Sequence, residues 1–164
     1  MMKKYELTSE TKVVFGRTLY RVKALASFGC VSAGDLGGFL ESEKNLSQNG
    51  DAWVYGDAMV SGNAEVYGDA RVYGDAEVYG DAMVSKIGAI FWIGAVGSRN
   101  DTATFFRCTD GVIRVACGCF FGDLDTFANK VHETHGDNDY AKVYMLAIEM
   151  AKIRIGDKKE KTEE

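Results

Sequence analysis

Between Gly50 and Ser85 the apolar positions recur every six residues, and the chain reads GDAWVY, GDAMVS, GNAEVY, GDARVY, GDAEVY, GDAMVS without insertion. Val holds one fixed place in each hexad (Val54, Val60, Val66, Val72, Val78, Val84), and Ala stands two residues earlier (Ala52, Ala58, Ala64, Ala70, Ala76, Ala82). Residues two apart on an extended strand share a face, so Ala and Val are expected inside. Trp53, Met59, Glu65, Arg71, Glu77 and Met83 are then expected outside. Gly followed by Asp or Asn marks a corner, because Gly accepts positive φ and the Asp or Asn side chain bonds the local backbone.

The flanks change the pattern. Val84, Ile90 and Val96 continue the six-residue spacing, so residues 86–100 are expected to form most of a third, more apolar coil. Upstream, residues 31–50 read as an irregular first coil, with Leu36, Phe39, Leu40 and Leu46 closing that end of the stack. Lys12 to Leu25 alternates as a β-hairpin turning at Phe15-Gly16-Arg17. Downstream, Thr102–Cys108 and Val112–Cys117 are two strands joined by Thr109-Asp110-Gly111. Asp123 is placed to cap a helix carrying Leu124, Phe127, Ala128 and Val131, which Gly136 stops. A second helix spans about Asn138 to Arg154, with Tyr140, Tyr144, Ala147, Ile148 and Ala151 at helical spacing. The predicted division is a hairpin and capping coil over 1–49, the repeat over 50–100, an α+β end domain over 101–155 and a disordered charged tail over 156–164.

Composition narrows the function classes. The 164 residues include 19 Gly and no Pro, and 19 basic against 24 acidic side chains give a net charge of −5, which argues against a binder held by nucleic-acid phosphates. The acid is concentrated in the repeat, where seven carboxylates and Arg71 leave −6, against +1 for the rest of the chain. No apolar run approaches a membrane span, and Met1-Met2-Lys3-Lys4 leads into Tyr5-Glu6 without a signal-peptide core, so a cytoplasmic protein is expected. Four cysteines (Cys30, Cys108, Cys117, Cys119) fit reduced thiols or a metal site better than a disulfide framework.

The hexads resemble the left-handed parallel β-helix of bacterial hexapeptide-repeat proteins, in which three hexads make one triangular coil; the resemblance implies that Val54 stacks on Val72, Val60 on Val78 and Val66 on Val84, with Tyr55 beside Tyr73. The fold expectation is therefore mainly β: a short left-handed parallel β-helix with an N-terminal β-hairpin cap and a C-terminal α+β end domain of one hairpin and two helices. VSAGDLGGFLESEKNLS near the start, with SRNDTATFFR, CGCF and ETHGDN near the end, is similar to small uncharacterised phage and prophage proteins that join a few hexapeptide coils to an α/β end domain. That resemblance implies a phage-type origin. By analogy with small phage proteins that act by binding, it implies a counter-defence factor or a sponge for a host nucleotide signal. The wider hexapeptide family implies homo-oligomers, with a trimer favoured. Its acyltransferases use a coil-borne histidine as base, whereas the two histidines here, His132 and His135, lie in the helical region.

Three constellations could carry chemistry. Stacked corner carboxylates (Asp51 with Asp69, Asp57 with Asp75, Asn63 with Asp81) could attract a cation, although single carboxylates without a dense ligand loop are more often solvated turn formers. Cys117-Gly-Cys119 followed by His132 and His135 is a C-x-C, H-x-x-H set that would hold zinc if the hairpin packed on the helix. The same residues supply a Cys/His nucleophilic pair, Cys117 or Cys119 with His135. Arg99 and Arg107 have forked donors suited to phosphate or carboxylate, so Arg99, Asn100, Phe105, Arg107 and His135 form the expected ligand-binding set. The preferred reading is a non-catalytic, homo-oligomeric binder of a small anionic, nucleotide-like ligand or of a host protein, with no cofactor, nucleic acid or membrane. A hexapeptide-type acyltransferase, a Cys/His hydrolase and a purely structural assembly element are the alternatives.

Overall fold

The structure is a computed structural model that describes residues 2–156; the charged tail expected at the C terminus lies beyond Gly156, outside the described residues. Two long strands open the chain, β1 (Tyr5–Val14) and β2 (Arg17–Ala24), followed by β3 (Leu36–Leu40). The hexads supply six strands of two residues each: β4 (Trp53–Val54), β5 (Met59–Val60), β6 (Glu65–Val66), β7 (Arg71–Val72), β8 (Glu77–Val78) and β9 (Met83–Val84). The C-terminal part contains β10 (Ile90–Val96), β11 (Asp101–Arg107), β12 (Ile113–Cys117), β13 (Phe120–Asp123), α1 (Leu124–His135) and α2 (Asp139–Ala151), with a π-turn over Lys152–Gly156.

The expectation of a left-handed parallel β-helix is corrected. The strands resolve into several small sheets: a mixed five-stranded one (β1-β2-β3-β5-β8), an antiparallel four-stranded one (β10-β11-β12-β13) and two parallel pairs, β4 with β7 and β6 with β9. Two features of the chain account for this. The hexad strands are only two residues long, and one set of them is absorbed into a sheet whose other members come from the N-terminal segment. The N-terminal hairpin is accordingly not a cap set across the stack. It continues the sheet sideways, because β2 pairs antiparallel with β3 and β3 pairs in parallel with β5.

Within the hexads the parallel ladder steps eighteen residues: Val54 on Val72, Val60 on Val78 and Val66 on Val84. Every hexad Ala and Val is fully buried. Tyr55 and Tyr73 stack at 4.4 Å, and Asn63 Nδ2 donates to Asp81 Oδ1 at 3.4 Å, the same eighteen-residue step at two corners. Gly68 shows why a corner cannot carry a side chain: its φ is +66°, and a Cβ there would lie 2.3 Å from the Ser85 carbonyl oxygen. Trp53, assigned outward by alternation, is buried nonetheless, since Tyr5 and Phe28 pack edge-on against it.

The third coil expected over 86–100 does not form. No Gly-Asp corner interrupts Ile90–Val96, so this run extends as one seven-residue strand and pairs antiparallel with β11. The resulting sheet is a middle layer. Its Ile90, Phe106, Cys108 and Ala116 close one end of the hexad core. Its Ala103, Phe105, Ile113 and Val115 pack on the other side against Phe127 and Val131 of α1 and Tyr144 and Ile148 of α2. At the opposite end of the hexads, Tyr5 donates from its hydroxyl to the Leu46 carbonyl at 2.6 Å, and Asn45 Nδ2 donates to the Gly62 and Ala64 carbonyls. Of the four residues expected to close that end, Phe39, Leu40 and Leu46 are buried and Leu36 is 57% exposed.

Both helices begin as the sequence indicates, with Asp123 accepting from Thr126 N at 2.7 Å and Asn138 accepting from Ala141 N at 3.1 Å. Gly136 ends α1 at a φ of +59°. Among the described residues no helix is long and apolar enough to cross a membrane.

Candidate functional site

The turn joining β10 to β11 places Arg99. It runs Gly97-Ser98-Arg99-Asn100 and closes with Asn100 N donating to the Gly97 carbonyl at 3.3 Å. Asn100 holds a φ of +52°, a conformation that Asn tolerates better than most side chains, so this residue builds the turn. Gly97 is demanded by its neighbour: a Cβ there would lie 2.0 Å from the Tyr144 hydroxyl. The close approach of turn and helix leaves a cavity of about 250 Å³ between this turn, the β12–β13 turn at Gly118-Cys119 and the face of α1 that carries Lys130, Thr134 and His135. Arg99 and His135, assigned together from sequence, both line it.

Their surroundings are mostly cationic and aromatic. Arg99 and Lys130 are exposed at the rim, and Asp101 is the carboxylate that opposes them. Lys130 pairs with Glu133, 3.7 Å away on the same helix. His135 stacks on Tyr144 with ring centroids 5.9 Å apart and also touches Tyr140 at 5.5 Å. Burial and the neighbouring Cys117 push the Tyr144 hydroxyl well above the ordinary tyrosine range, so it stays a proton donor at neutral pH.

Three members of the sequence-derived ligand set fall outside the cavity lining and are corrected: Asn100, which builds the turn, Phe105 and Arg107. Phe105 is 0% exposed, wedged between Phe91 and Phe127, and has no face left for a ligand. Arg107 lies at the far end of β11, about 20 Å from its start at strand rise. Its guanidinium donates to the Gly111 carbonyl at 2.7 Å, to the Ile155 carbonyl at 3.3 Å and to the Gly156 carbonyl, fastening the end of the described chain to the β-hairpin. A scarce Arg beside aromatics looks the same in sequence whether it faces solvent or satisfies main-chain carbonyls. Lys130 and Thr134 were not singled out from sequence; their spacing of four residues on the helix that carries His135 is the signal that could have found them.

Cys117, Cys119 and His135 of the C-x-C, H-x-x-H set line the same cavity, His132 does not, and the four do not form a metal site. Cys117 is half-buried with Sγ 3.9 Å from the Tyr144 hydroxyl, and Cys119 is exposed at the turn. His132 lies at the end of α1, Nδ1 3.2 Å from the Gly136 carbonyl and 3.9 Å from Asp137. Among the described residues no group of three or more His, Cys, Asp or Glu side chains stands close enough to hold a metal ion, the corner carboxylates included. Burial pushes the Cys117 thiol up, which disfavours the thiolate a nucleophile requires.

A larger groove of about 520 Å³ adjoins the other side of the Gly118-Cys119 turn, between the tip of the N-terminal hairpin and the outer face of β5 and β8. Val14, Phe15, Met59, Tyr79 and Phe121 make its walls apolar, with Glu77 and Asp81 as acids. Its cation, Arg17, is paired with Glu41 at 2.8 Å. The Gly62 backbone N–H, donating at 2.6 Å, and then Arg17 hold the Glu41 carboxyl below its usual range. The two cavities thus offer opposite charge on the two sides of one turn. No family model matches the chain, and no curated protein matches it either.

Proposed function

We propose that this protein is a non-catalytic binding protein that holds a small anionic molecule in the cavity lined by Arg99, Lys130 and His135. The observation that carries the reading is the convergence of those three side chains, from a turn and a helix far apart in sequence, on one concavity beside the Tyr144 ring. Guanidinium and ammonium groups bind phosphate or carboxylate oxygens through charge-assisted hydrogen bonds, and the stacked His135–Tyr144 pair offers an aromatic edge to a planar base. A nucleotide-like anion satisfies both. The raised Cys117 thiol disfavours that residue as a hydrolytic nucleophile. Sequestration as a counter-defence act rests on the resemblance to phage proteins alone.

The test is calorimetry with a panel of linear and cyclic nucleotides, followed by analysis of the recovered ligand. A charge-assisted contact contributes about 1.5–3 kcal/mol, so Arg99→Ala and Lys130→Ala are each expected to weaken binding at least about tenfold with melting nearly unchanged. Arg107→Ala is expected to leave affinity alone. Equal affinity in the Arg99 and Lys130 variants, or chemically altered ligand recovered from the wild type, overturns the reading.

A further inference from the structure

Helix α2 is apolar on two faces, and only one of them is used. Ala141, Tyr144, Ala147, Ile148 and Ala151 pack on the four-stranded sheet and α1. On the opposite face Val143, Leu146, Met150 and Ile153 remain exposed, Leu146 at 65% and Ile153 at 83%. From Val143 onward the exposed residues are spaced three, four and three apart, the heptad seam by which one helix packs along another, continued into the turn after α2. A lone exposed Leu is ordinary, whereas a continuous stripe of large apolar side chains along one helix marks an interface.

We propose that this face is a self-association surface on which α2 of a second copy packs antiparallel about a two-fold axis near Leu146. The charges flanking the seam select that occupant. In the antiparallel arrangement Leu146 meets its own equivalent, Val143 meets Met150 of the second copy, and Lys142 meets Glu149 of the second copy twice over, by symmetry. A parallel copy would set Lys142 against Ala147, and the Arg154 that could then answer Glu149 lies in the π-turn beyond the regular helix. Lys142 and Glu149 now make short-range pairs within their own helix, to Asp139 at 3.3 Å and Lys152 at 3.0 Å; such exposed pairs contribute little and do not prevent exchange across a seam. The surface is distinct from the anion cavity and does not depend on it.

Sedimentation velocity and native mass spectrometry of the full chain test the proposal. The wild type is expected as an even-numbered oligomer at tens of micromolar, with Leu146→Glu monomeric and unchanged in far-ultraviolet circular dichroism. Lys142→Glu is expected to weaken association at least about tenfold by placing like charges across the seam, and the double variant Lys142→Glu, Glu149→Lys to restore it. A monomeric wild type, an odd-numbered oligomer, a Leu146→Glu variant that still associates, or a double variant no stronger than the single one overturns it.

Discussion

The hexad segment and the α+β segment that follows it solve the same problem, the burial of an apolar core, by opposite means. In the hexads one pair of residue types, Ala and Val, fills every interior place, and the ladder bonds join residues eighteen apart. A residue's fate there follows from its place in a period. In the C-terminal layers the core is built of single-copy aromatics, Phe105, Phe106, Phe127 and Tyr144, and neighbouring residues face opposite cores: Phe105 turns to the helices, Phe106 to the hexads. A residue's fate there depends on which layer arrives on each side of its strand. Repetition therefore makes burial readable, and the aperiodic part holds the cavity of Arg99, Lys130 and His135 and the exposed apolar face of α2, because these need positions that differ from their neighbours.

The strongest way to break the comparison is to violate the period. Val66→Asp places an unpaired carboxylate among stacked Val and Ala and is expected to cost about 3–5 kcal/mol, whereas Glu65→Lys, one residue away and exposed, is expected within about 0.5 kcal/mol. Thermal or urea denaturation of the two variants decides it, and equal losses would refute the inward and outward assignment.

An intermediate effect separates two arginines that sequence treats alike. Arg107→Ala removes three donations to main-chain carbonyls and is expected to destabilise the fold by about 1–2 kcal/mol. Arg99→Ala, at the exposed turn, is expected to change stability by less than about 0.5 kcal/mol. The reverse order in urea denaturation would return Arg107 to the ligand set.

The smallest effect concerns the seam between the two regions, where Tyr79 of the hexads donates to the Phe120 carbonyl at 3.3 Å. Burial, and then the charge of Glu77, push its hydroxyl up to about 12. Unfolded tyrosine titrates near pH 10, so between about pH 10 and 12 the unfolded chain releases a proton that the folded chain keeps, and stability falls as pH rises. Tyr79→Phe is expected to reduce that alkaline slope and to leave the behaviour below pH 9 unchanged, as measured by denaturant midpoints across the range.

Much of the local structure is legible from the chain. The eighteen-residue register follows from the hexads, the hairpin turn from Phe15-Gly16, and the helix limits from Asp123, Gly136 and Asn138, because each rests on neighbours in sequence or on a repeated unit. The candidate site was half legible: Arg99 and His135 share a cavity, while Phe105 and Arg107 belong to the core and to a backbone clamp. Helical spacing puts Lys130 and Thr134 on one face of the helix that carries His135, but only the packing of that helix beside the Arg99 turn brings them into the site.

What the sequence determined by itself was therefore the set of short-range choices: corners at Gly, strands of two residues, caps, and the alternation that buries Val and exposes Glu65. Tertiary structure alone decided that the N-terminal hairpin extends a sheet instead of capping a stack. It also decided that Ile90–Val96 joins an antiparallel sheet instead of a third coil, and that Trp53 is covered. The physical reason is that a strand edge or an apolar face specifies only that something must pair with it or cover it. Which segment does so is settled by the competition among all segments of the chain, and that competition is not written in any one of them.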